Sequence, residues 1–110
     1  MTSRKIAATL LVTLPLVAAA TSAMADQTFI TTNWIDTKLS MDECLGRAAA
    51  AIRGAGGWGK VLETPDARHA LRGMYTLQIR CLPDKEMAIV VVAGPSKSTA
   101  KYTDELVNHF

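Results

Sequence analysis

The chain is short of the residues that build most reactive centres. It has two cysteines, Cys44 and Cys81, and no C-x-x-C pair, so the spacing of a thiol-exchange site is missing. It has two histidines, His69 and His109, far apart in sequence and with no free cysteine between them to complete a metal-ligand set. The reading therefore assigns no metal and no cofactor. The glycine that should precede Lys97 in a phosphate loop is absent. Aromatic residues make up only 5% of the chain, so each tryptophan has a strong competing place in the core. There is no internal repeat and no low-complexity segment.

Excess charge of one sign is also absent once the N-terminus is set aside. Lys+Arg number 12 and Asp+Glu 10, and two of the basic residues are Arg4 and Lys5. Without those two the count is 10 against 10. A neutral surface gives no footprint for nucleic acid or for an anionic membrane.

Residues 1–25 read as a cleaved export signal. Arg4 and Lys5 form a positive start, Ile6 to Ala20 is apolar with Pro15 interrupting it, and Ala23-Met24-Ala25 is a small-x-small cleavage site. The uninterrupted apolar run is too short for a spanning helix of about 20 residues. Arg4-Lys5 is not a twin-arginine pair, and no cysteine follows the cleavage site. The expected destination is the bacterial periplasm or the exterior, by the general secretory route, with no membrane attachment after cleavage. Residues 26–110 then form a single small domain, of a size that often needs a covalent staple. An even number of cysteines in an oxidising compartment reads as one disulfide, Cys44–Cys81.

The centre of the domain is Met74 to Gly94. From Tyr75 to Cys81 apolar and polar residues alternate, which is the pattern of a half-buried strand. Pro83, Asp84 and Lys85 supply turn chemistry. Met87 to Ala93 is apolar on both faces and rich in β-branched residues, as in a central strand or one with both faces covered. Before this hairpin, Thr28–Ile35 reads as a first strand. Ser40 and Glu43 read as a capping box, opening a helix that runs to about Arg53. The glycines of 54–59 end that helix. Trp58–Thr64 reads as a second strand, and Pro65–Gly73 as a connector with at most one helical turn. Ser96 or Ser98 caps a last helix to Phe110. The expected fold class is α+β: a two-layer sandwich in the order β-α-β-β-β-α. Its sheet is mostly antiparallel and four-stranded, with both helices on one face and the strand order left open.

The segments SMDECLGRA, GMYTLQIRC and VVVAGPS resemble small exported bacterial proteins of unknown function with one helix-to-strand disulfide. The likeness covers most of residues 26–110. It implies a fold and no activity, and it carries no catalytic residue.

Candidate sites are few. Gly94-Pro95-Ser96-Lys97-Ser98 joins a strand end to a helix start, where free amides and the helix dipole favour an anion. An ordinary capped helix start is the competing reading of Ser96, Lys97 and Ser98. The glycine cluster leads out of a helix, the reverse of a phosphate loop. Asp42 and Glu43 serve the start of the first helix through its dipole, and Asp104 and Glu105 read as a solvated face. Trp34 and Trp58 are of the type found in binding anchors, although the core is the favoured place for each. A stripe of Ala88, Val90 and Val92 is expected on the face opposite Tyr75. There it is either a contact surface, for a protein partner or a homodimer through the outer sheet face, or part of the monomer core. These readings point to a non-catalytic binding protein. The alternative is a small hydrolase or ligand-modifying enzyme built around His69.

Overall fold

A computed structural model describes residues 27–110. The expected export signal lies outside the described residues. The elements run β1 (Phe29–Asp36), α1 (Met41–Ala55), β2 (Leu62–Thr64), β3 (Ala67–Arg72), β4 (Tyr75–Leu82), β5 (Met87–Gly94) and α2 (Ser98–His109). A single 3-10 turn, Pro83–Lys85, joins β4 to β5. The fold is α+β with one five-stranded antiparallel sheet in the order β1-β5-β4-β3-β2.

The expected four strands are five. Trp58–Thr64 pairs regularly only over Leu62–Thr64, because the glycine-rich stretch before it follows β3 loosely, with the Gly59 N–H donating to the Leu71 carbonyl at 2.8 Å. Pro65–Gly73 is not a connector. Pro65 and Asp66 make a two-residue turn, and Ala67–Arg72 returns as β3 against both β2 and β4. The residues of β3 are mostly good helix formers, and sheet pairing on both sides overrides that weak preference. Gly73, at φ +57°, supplies the left-handed residue needed by the equally short turn into β4.

Both helices lie on one face of the sheet. α1 covers β3 and β4, and α2 covers β1 and β5. The start of α1 is closed as expected: the Ser40 hydroxyl accepts the Glu43 N–H, and the Glu43 carboxylate accepts the Ser40 N–H and O–H. Ala48 and Ala51 are fully buried, which lets α1 approach the sheet closely. Cys44 is bonded to Cys81 of β4, with the Cα atoms 6.0 Å apart, tying helix to sheet across 37 positions of sequence. α2 is held to β1 by a hydrogen bond between the hydroxyls of Thr31 and Thr99, 2.8 Å apart.

The helix-covered face is lined by small and branched residues. In cross-strand register stand Leu77 with Val92, Ile79 with Val90 and Cys81 with Ala88, all fully buried. This corrects the expected side of the Ala88, Val90 and Val92 stripe. These residues share the Tyr75 face and form the monomer core; they are not an outer surface. Paired residues of antiparallel strands point the same way, and a one-residue change of register inverts a whole strand. The length of the Pro83–Lys85 turn, closed by Glu86 in the left-handed region at φ +52°, sets that register.

Candidate interaction surface

No helix covers the opposite face of the sheet among the described residues, yet it is not a polar face. Outward from β5 point Met87, Ile89, Val91 and Ala93, the alternates of the buried stripe, and each is half-buried. Beside them β1 presents Asp36, Trp34, Thr32 and Ile30 in register. On the other side β4 presents Arg80, Gln78 and Thr76, and β3 and β2 add His69, Leu71 and Leu62. The face thus reads as an apolar band over β1 and β5, a polar band over β4, and an apolar margin.

Five large apolar side chains are exposed among the described residues: Ile30 at 68%, Trp34 at 60%, Leu62 at 47%, Leu71 at 54% and Met74 at 80%. Four lie on this face. The fifth, Met74, stands at its end, where with Thr76 and Ala93 it lines an open depression of about 440 Å³. Isolated apolar side chains on a surface are ordinary; here four of them share one sheet face that no helix covers among the described residues. The pattern is legible in the sequence only as the two-sided apolar character of Met87–Ala93 and the residue type of Trp34. Ile30, Ile89, Leu62, Leu71 and Met74 were not singled out by sequence reasoning.

The two tryptophans separate. Trp34 lies in the exposed band and not in the core. Trp58 is half-buried over the end of the core and meets Tyr102 edge to face, with ring centroids 5.7 Å apart. Tyr102 in turn meets Tyr75 at 5.0 Å and carries the Arg72 guanidinium over its ring at 4.5 Å. This cluster fastens the α2 side of the domain. Gly94 makes room for it, since a Cβ there would stand 2.1 Å from Cδ1 of Tyr75.

The loop into α2 is engaged internally. The Ser96 hydroxyl accepts the Ser98 N–H at 3.2 Å and is hydrogen-bonded to the Tyr75 hydroxyl. Lys97 stands at the N-cap position and makes no side-chain capping bond. Of the three residues considered for an anion, Ser96 is thus already bound to protein groups.

His69 lies on the outer face, with Nε2 3.3 Å from the Thr64 hydroxyl. It lines neither the depression at Met74 nor a second one of about 320 Å³ formed by Asp36, Thr37, Lys38, Lys85 and Glu86. His109 is the last residue of α2, bonded through Nδ1 to the Glu105 carbonyl. No helix among the described residues is long and apolar enough to cross a membrane.

The chain matches no protein-family model, and no curated protein is recognisably similar to it in sequence.

Proposed function

We propose that the protein is an exported, non-catalytic interaction domain that binds a protein surface through the outer face of its sheet. One observation carries the proposal: the exposed large apolar side chains gather on or beside the sheet face that no helix covers among the described residues. The apolar band supplies contact area, and Trp34, on its β1 side, is of the residue type that anchors interfaces. The Cys44–Cys81 bond and the leader-like first 25 residues support an oxidising, exported setting.

Site-specific photo-cross-linking in the cell of origin tests the reading. A photoreactive residue at Trp34 or Ile89 is expected to give a protein adduct, while one at Lys101, exposed on α2, gives none. Equal labelling from all three positions, or no adduct from the sheet face, contradicts the proposal.

A further inference from the structure

The outer face is patterned to meet a copy of itself. We infer that two chains associate sheet against sheet, about a two-fold axis that lies between the sheets and runs across the strands. The inference rests on the reading of this face as a binding surface and names its occupant.

Size pattern is the first argument. The Ile89 row contains Trp34 of β1 and Arg80 of β4, and the Val91 row contains Thr32 and Gln78. An axis passing between these rows places Ile89 over Val91 of the second copy, Trp34 over Thr32, Met87 over Ala93 and Arg80 over Gln78. In each pairing a larger side chain meets a smaller one, as interdigitating sheets require. The polar band meets the polar band, and the guanidinium faces an amide it can donate to.

Charge is the second. The strands of this face carry two formal charges, Asp36 at a corner and Arg80, and Arg80 already lies 3.4 Å from an Asp66 carboxylate oxygen. A strongly charged partner finds nothing to match, and two copies have little to repel.

Area is the third. Five strands about 4.8 Å apart, each at most about 8 residues of 3.3 Å, offer roughly 500–600 Å² per copy. The total of about 1,000–1,200 Å² reaches the lower end of specific interfaces, which fits a reversible dimer.

Two other occupants are poorly placed. With the leader removed after Ala25, only Asp26 precedes Gln27, and one residue spans at most about 3.6 Å against a face roughly 24 Å wide. Strand addition at the free edge of β1 is opposed by Asn33, whose side chain already accepts the Trp34 N–H at 2.8 Å.

The test is sedimentation of residues 26–110, from a few micromolar to several hundred micromolar. The wild type should pass from monomer to dimer. Ile89→Lys and Val91→Glu should each stay folded by circular dichroism and weaken association by at least about tenfold, because each buries an unpaired charge. An equimolar mixture of the two should recover a 1:1 heterodimer, since position 89 of one chain faces position 91 of the other. If either variant fails to fold, Trp34→Asp mixed with Thr32→Lys poses the same question at a more exposed pair. A wild type that remains monomeric, a dimer indifferent to both variants, or a mixture that does not recover overturns the inference. The cross-linking experiment separates the two levels. Adducts of twice the chain mass from position 89 support the second copy. Adducts of another protein with a monomeric wild type overturn it while leaving the binding reading standing. No adduct and no dimer removes both.

Discussion

The two faces of one strand, β5, have nearly the same hydrophobicity and opposite fates. Ala88, Val90 and Val92 are sealed beneath the helices, while Met87, Ile89, Val91 and Ala93 are only half-covered. Composition does not separate them; coverage does. Across the sheet the sealed face uses small residues, such as Ala70 and Ala88, which let helices close on it. The open face holds the bulkier Trp34, Ile30 and Leu71, side chains that meet no helix among the described residues. A face built only for water would carry polar residues at these positions, as β4 does with Thr76 and Gln78.

Substitutions on the sealed side should be far more costly than on the open side. The largest effect is expected at Val90→Lys. It buries a charge with no partner and should cost more than about 4 kcal/mol, enough to lose the cooperative unfolding transition of a small domain. Next comes the staple. Replacing Cys44 and Cys81 together by serine releases a closed loop of 37 positions. It should lower unfolding free energy by about 3–4 kcal/mol in denaturant titration. Gly94→Ala should cost about 1–3 kcal/mol, because the new methyl overlaps the Tyr75 ring. Its neighbour on the open face provides the control, and Ala93→Val should be nearly neutral. The smallest of the set is Ser40→Ala, which removes the cap of α1 and should shift the midpoint by about 1 kcal/mol. An equal loss at Ala93→Val and Gly94→Ala would erase the difference between the faces.

Much of this architecture is readable from the chain. The Tyr75–Gly94 hairpin, the Ser40 cap and the cysteine pair follow from local rules of alternation, capping and parity. β3 does not, because Ala67–Arg72 has no strand-like composition and becomes a strand only by pairing with β2 and β4, each across a two-residue turn. Nor is the side of the Val90 stripe readable. It depends on how many residues a single 3-10 turn holds, and alternation alone leaves that parity undetermined. The proposed interaction surface was half visible: Trp34 stood out by type, but its exposure follows from the lack of a helix over this face among the described residues. Ile30, Leu62 and Leu71 became a surface only when the register brought three separate strands into one face.

The measurement that tests the central claim most directly is the pairing of fold and association in Ile89→Lys. This residue adjoins Val90 in the chain and points the other way. In dilute solution its unfolding free energy should stay within about 1 kcal/mol of the wild type, because the lysine head reaches water from a half-covered site. The same protein should lose the expected adduct at Trp34 and the dimer expected of the wild type at high concentration. An Ile89→Lys chain that unfolds as Val90→Lys does, or one that folds and still associates as the wild type, would contradict the assignment of the open face to binding.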